Sequence, residues 1–306
     1  MPQIAFLIMA HSEAVVSERL VRRLDVPWAT TFLHVDRKVN QAAFVRGMGG
    51  VSNLVFMPDA ARRKVYWGTF AIAQTMFDMV RFALQQDPRV DRIFFLSGVD
   101  YPLAPLESVR EAAATKAEFI RVDRRLIQGG PGEQDRLLAR RNLGSSSWLN
   151  ERTGVQRLRP ISEMMQAVLP PPNLGEAPIY HGSSSWALTS TTLRQILALY
   201  DERPDLLDRF RHVQAPVEMV VHSAIKGLPV AAQITQDVTD PKRNKGALHP
   251  CLFGMHFIDW SRGGSGPATL ALEDLQRITA SGALFARKMS TERSMTLIEA
   301  LDARDG

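Results

Sequence analysis

The run IFFLSGVDYPL at residues 93–103 decides how this chain folds. Four apolar residues stop abruptly at Ser97 and Gly98, with Asp100 and Pro102 close behind. A short, continuous apolar run bounded by turn residues reads as a strand buried on both faces. In open α/β sheets, ligands sit just beyond the carboxyl ends of such strands, so the polar residues that follow are candidates for a site.

The same pattern recurs on either side. Residues 4–10, 31–35, 53–57, 92–96 and 118–122 read as strands, and residues 14–24, 70–86 and 106–115 as helices between them. In the middle helix Phe70, Ala73, Phe77, Val80 and Leu84 share one stripe, with Thr69 placed as its N-cap. This alternation predicts an α/β fold around a mostly parallel sheet flanked by helices. From Gln128 to Glu176 the chain turns to Gly, Ser, Pro and clustered Arg, which predicts loops plus one helix near 161–168. A strand over 179–188 and helices over 193–200, 217–226 and 270–280 complete the reading, the last ending before Gly282. With no internal repeat, residues 1–306 read as one domain.

Composition narrows the function. A net charge of +5 raises nucleic acid as a partner, but the basic residues are scattered and no recognition module is present, so no nucleic acid is expected. The single cysteine, Cys251, excludes an internal disulfide framework. No apolar run approaches the roughly 20 residues of a membrane span, and a cytoplasmic protein is expected, peripheral at most to the inner face of a membrane. The turn after the first strand, MAHSEAV at residues 9–15, has no glycine, which argues against NAD or FAD. The phosphate-binding P-loop and the serine elbow are also missing, and no D-x-D pair occurs to hold a divalent ion, so no cofactor or metal is expected.

Three strand ends then stand out: His11-Ser12-Glu13, His34-Val35-Asp36, and Ser97 to Asp100. Asp36 suits a ring N–H or a ribose hydroxyl, and Gly98 suits a close backbone approach to a ligand. Arg287 and Lys288, in LFARK at 284–288, offer fixed cations for a diphosphate, with Arg262 as a second source. Glu218 follows Pro216-Val217 and reads as opening an apolar helix, where a carboxylate can serve as general base.

Taken in order, Val65-Tyr66-Trp67-Gly68, FFLSGVDYPL, GSSSWAL at 182–188, Pro216-Val217-Glu218, Phe257-Ile258-Asp259-Trp260 and LFARK resemble the core-2/I-branching β-1,6-N-acetylglucosaminyltransferases and peptide O-xylosyltransferases, glycosyltransferase family 14. The resemblance spans residues 4 to 288 and implies a GT-A type fold and an inverting, metal-independent transfer from a UDP-sugar. By the same resemblance Asp36 contacts uracil, Met9 and Tyr66 lie near base and ribose, and Glu218 is the base. Lys288, with Arg287 beside it, holds the diphosphate. His11, Trp67, Ser97, Gly98, Asp100 and Arg262 complete the donor side, and Ser184, Trp186 and Trp260 the acceptor side. Residues 1–125 become the nucleotide-binding half and 126–306 the acceptor and diphosphate half. The implied acceptor is a hydroxyl on a glycan, lipid-linked glycan or peptide. The chain departs from the family in lacking its membrane anchor and disulfides, and in having Ser265-Gly266-Pro267-Ala268 where many members carry a basic residue. The alternative is a non-catalytic sugar or nucleotide-binding module on the same fold.

Overall fold

Strand β1 (Ile4–Ala10) is apolar throughout because both of its faces are covered. Ala5 and Leu7 enter one core and Ile4, Phe6 and Ile8 the other, as the two-residue period of a strand requires. The computed structural model describes residues 2–144, 159–240, 242, 249–262, 264 and 266–304. Around β1 lie β2 (Ala29–Val35), β3 (Leu54–Phe56) and β4 (Arg92–Ser97), all parallel to it.

Beyond β4 the sheet continues through chain segments far away in sequence. The order β3-β2-β1-β4-β8-β6-β7 uses β6 (Glu118–Leu126), β7 (Ile179–Gly182) and β8 (Trp186–Thr189), with β9 (Ile234–Asp237) also on β6. Since β8 is antiparallel to both β4 and β6, β6 runs in the same direction as β4. Only β7 and β8 oppose the rest, so the sheet is mostly parallel. A second sheet orders β10 (Leu252–Phe253), β11 (His256–Ile258), β12 (Phe285–Arg287) and β5 (Asp100–Pro102).

Helices α3 (Phe70–Gln86), α6 (Ser190–Glu202) and α8 (Val220–Lys226) cover one face of the large sheet. The other face meets α1 (Ala14–Arg23), α4 (Leu106–Ala113), the small sheet and α10 (Met295–Asp302). Short helices α2 (Ala42–Gly47), α7 (Pro204–Asp208) and α9 (Leu275–Thr279) close surface turns, and α5 (Arg159–Val168) stands in the Arg-rich insertion. The join between α4 and the sheet is made by Arg92, which is fully buried and donates to the carbonyls of Ala113, Thr115, Ala117 and Ala187. Beside it the buried Glu118 accepts from Thr189 and Thr192.

The structure corrects four expectations. Residues 179–188 form two strands, because Gly182 lies so close to the Arg121 carbonyl and His222 that a side chain would collide, and the chain turns at Ser183–Ser185. Thr69 does not cap α3; its hydroxyl donates to the Tyr66 carbonyl at 2.7 Å. The helix expected over 217–226 begins only at Val220, after a tight turn over Pro216–Glu218. The helix expected over 270–280 is reduced to α9, because Leu270 donates to the Lys288 carbonyl as extended chain. Part of the loop expectations, residues 145–158 and 243–248, lies outside the described residues.

Two buried histidines make the fold acid-sensitive. Burial lowers the pKa of His34 from 6.5 to about 4, Asp36 opposing and Arg62 assisting, and lowers that of His222 to about 3, with His181 assisting. Below pH 6.5 the unfolded imidazoles take up protons that the folded ones refuse, so stability present above 6.5 is lost as pH falls toward 4. Each histidine contributes a slope of up to ~1.4 kcal/mol per pH unit. Urea unfolding at pH 7, 6 and 5 is expected to show this loss, with a shallower slope in His222→Leu; equal slopes would count against the assignment.

Candidate functional site

The carboxyl edge of the sheet gathers residues that the sequence separates widely. Met9 is in register with His34 on one side and Ser97 on the other. The Asp36 N–H donates to the Ala10 carbonyl at 2.8 Å and the Gly98 N–H to the Met9 carbonyl at 2.9 Å, carrying both pairings past the strand ends. Asp36 is 4% exposed, and its carboxylate accepts from the Lys38 N–H at 2.8 Å, with Lys38 Nζ at 3.4 Å. The same ammonium donates to the Val65 carbonyl and lies 4.2 Å from the Tyr66 ring centre. Lys38 therefore joins Asp36 to Tyr66. Arg62, also buried, donates to the carbonyls of Val35, Asp36 and Val39 and fixes the loop after β2.

A second arm comes from the small sheet. Asp100 is fully buried, and its carboxylate accepts from Arg287 at 3.0 Å and from the Ser97 N–H at 2.9 Å, with His256 Nε2 at 3.1 Å. Burial pushes the Asp100 pKa up, but Arg287, His256 and the Ser97 N–H outweigh it, and the net shift is downward. Arg287 keeps 28% of its side chain exposed. Among the described residues no carboxylate pairs with Lys288. Lys288 lies by the strand ends, because Met289 donates to the Val99 carbonyl and Thr291 donates twice to Glu13, next to the exposed His11 and Ser12.

The third arm carries Glu218. Its carboxylate lies 3.2 Å from His181 Nε2, and 33% of the Glu218 side chain is exposed. His181 pairs with Arg124 on β6, past the point where β6 is level with Phe94 through Ala187, so it stands beyond the same sheet edge. Ala215, three residues before Glu218, donates to the Gly68 carbonyl at 2.9 Å, which joins this turn to Tyr66 and Trp67. Asn142 donates to the same carbonyl from the Arg-rich insertion. A deprotonated Glu218 takes a hydrogen bond from His181 Nε2–H, which fixes one carboxylate oxygen and leaves the other to meet a proton donor.

Several expected contacts are redirected. Gly98 is needed inside the fold: a Cβ there would lie 2.8 Å from Ala10 Cβ and 2.5 Å from Ser17 Oγ, and its carbonyl already accepts from Ser17. Asp100 has no accessible surface and acts on its surroundings only through Arg287, His256 and Ser97. Trp186 is likewise 0% exposed, stacked on Phe95 at 5.4 Å, and cannot meet an acceptor. Arg262 is met by Asp259 at 2.7 Å and Asp274 at 2.8 Å, so its charge is already compensated. Asp259 in turn holds Ser261, Arg262 and Arg277, and the rigid loop that results presents Trp260 outward, 53% exposed. Trp67 is also exposed, while Ser97 and Ser184 are half-buried.

Sequence reasoning passed over His181, Lys38, Arg62, Glu13 and His256. His181 had a visible cue, standing directly before the GSSSWAL run, but a reading of 179–188 as one strand hid it. The most enclosed cavity, about 170 Å³ beside α3, α6 and α7, includes none of these residues; its arginines Arg63, Arg81 and Arg211 pair with Asp78, Asp201 and Asp208, which marks it as a packing cleft. Among the described residues no group of three or more His, Cys, Asp or Glu side chains is placed to hold a metal ion.

No protein-family profile and no curated protein matches the sequence. Among solved structures, the chain is similar to the apo form of the glycosyltransferase GlyE from Streptococcus pneumoniae TIGR4, with TM-score 0.37 and 9% identity over 100% of this chain and 60% of that one. It is also similar to apo mouse xyloside xylosyltransferase 1, with TM-score 0.39 and 13% identity over 94% and 97%. This chain spans about 60% of the length of the GlyE chain. At these scores the likeness carries no argument, and the short motifs of the sequence do not extend to a family match.

Removing the charge at Asp100 leaves Arg287 buried on one side without a partner. Asp100→Asn is expected to cost about 3–5 kcal/mol, the range for breaking one partner of a buried pair. Chemical denaturation measures it, and a cost near zero would deny Asp100 its role in holding the small sheet to β4.

Proposed function

We propose that the chain is an inverting, metal-independent glycosyltransferase of GT-A type that uses a UDP-sugar. The observation that carries the reading is the joining of three arms beyond one sheet edge: Asp36 with Lys38 and Tyr66, Arg287 with Lys288, and Glu218 with His181. They correspond to the three tasks of sugar transfer without metal, which are holding a nucleoside, stabilising a departing diphosphate and deprotonating an alcohol.

In this reading Asp36 accepts from the uracil N–H, and Met9 and Tyr66 line the base and ribose. His11, Trp67 and Ser97 flank the donor, and Ser184 and Trp260 face the acceptor. As Glu218 takes the hydroxyl proton, the acceptor oxygen bonds to the anomeric carbon from the face opposite UDP. The bond from that carbon to the β-phosphate oxygen breaks, and a β-glycoside forms. Lys288 and Arg287 act on charge that grows on the leaving diphosphate, which is where fixed cations accelerate the step instead of only tightening binding. His181 is a positioning residue for Glu218. The sugar is N-acetylglucosamine or xylose, and bacterial surface glycan synthesis is the setting the reading favours.

Thermal-shift measurement with UDP-N-acetylglucosamine and UDP-xylose, each with and without EDTA, tests the donor and the metal together. Stabilisation by one donor, undiminished by EDTA, is expected; stabilisation by neither would reject the reading. Glu218→Gln is expected to keep the UDP shift while turnover falls by ~10²–10⁴, the usual contribution of a general base. Lys288→Ala is expected to weaken the shift given by UDP itself. Unaltered turnover in Glu218→Gln, or binding without any turnover in the parent chain, would favour the non-catalytic module.

A further inference from the structure

Helix α5 carries its apolar side chains outward. Ile161, Met164, Met165, Val168 and Leu169 are all exposed, Met164 at 62% and Val168 at 79%. Their spacing of three and four residues puts them on one face, with Glu163 opposite. Gln166, away from that face, is half-buried. The helix is thus turned inside out relative to one that packs on a core, and a contiguous aliphatic stripe on a protein surface marks an interaction site.

The surrounding charge identifies the partner. Between residues 136 and 160 the chain has Arg136, Arg140, Arg141, Arg152, Arg157 and Arg159 against the single acid Glu151. Arg136 and Arg140 are exposed, and Arg141 donates to the Pro170 carbonyl at 3.4 Å, which holds this basic stretch against the end of α5. The stripe has no Trp, Tyr or Arg of the kind that anchors protein interfaces. An aliphatic face beside clustered Arg is the composition of a helix that lies in the headgroup layer of an anionic bilayer. At about 15 Å long, α5 can lie in that layer and cannot cross it, and no helix among the described residues is long and apolar enough to span.

We infer that α5 and its arginines dock this chain onto an anionic lipid surface. The insertion carrying them is tied to the candidate site: Asn142 donates to the His212 and Gly68 carbonyls, and Gln214 to the Leu137 carbonyl, four residues before Glu218. Docking through α5 therefore brings the surroundings of Glu218 toward the bilayer. Resting on the proposed sugar transfer, this assigns the acceptor to the class of lipid-borne hydroxyls.

Co-sedimentation tests the docking without any donor. The chain is expected to bind vesicles containing about 30 mol% phosphatidylglycerol at least roughly tenfold better than phosphatidylcholine alone, and to be released by high salt. Met164→Glu with Val168→Glu is expected to abolish binding while the UDP shift is kept. A Val168→Trp probe is expected to shift its emission to the blue and to be quenched by brominated acyl chains. Equal sedimentation of the parent chain with both vesicles, an unquenched probe, or a dimer in size exclusion that the double variant dissociates while vesicles go unbound, would each overturn the docking. Vesicle binding with no UDP shift would instead reject the transfer reading and leave the docking intact.

Discussion

The Asp100 carboxylate is the constraint on which the rest of the site depends. It is fully buried, and a buried charge persists only where partners replace the water it has lost. Arg287, His256 and the Ser97 N–H supply that replacement, and each comes from a different element. One carboxylate therefore fixes the small sheet to the end of β4 and decides where Arg287 points. Lys288 follows in the chain, so its position is inherited from the same contact.

The other arms are held by the same physics with different groups. Arg62 satisfies three carbonyls behind Asp36, and Lys38 bridges Asp36 to the Tyr66 ring. The Glu218 turn is held from outside by backbone, through the Ala215 N–H on the Gly68 carbonyl. Asp259, with its guanidinium and hydroxyl partners, keeps Trp260 on a rigid loop instead of in the core. In each case a buried polar group organises a neighbour that remains accessible, and rigidity behind a site limits the reorganisation needed when a ligand arrives.

Much of the first half was legible along the chain. The apolar run of β1 and the stripe of α3 are local patterns, and both elements have the bounds that periodicity predicts. Asp36 and Ser97 were found because strand ends in a parallel sheet are where a chain leaves the core. The small sheet escaped, because β5, β10, β11 and β12 are two or three residues long and are strands only by virtue of pairing with one another. Trp186 was misread for a related reason: a Trp beside serines looks like a sugar platform until Phe95 is seen stacked on it.

The sequence by itself determined the class of fold, the edge of the sheet that carries polar residues, and the types of side chain available there, since hydrophobic period and turn chemistry act over a few residues. Only the tertiary structure decided which charges are already compensated. Arg262 and Arg287 look alike in sequence, yet one is met by two aspartates while the other shares a single buried one and keeps an open side. Whether a charge faces a ligand or a neighbour depends on groups brought together from distant parts of the chain, and no local pattern records that.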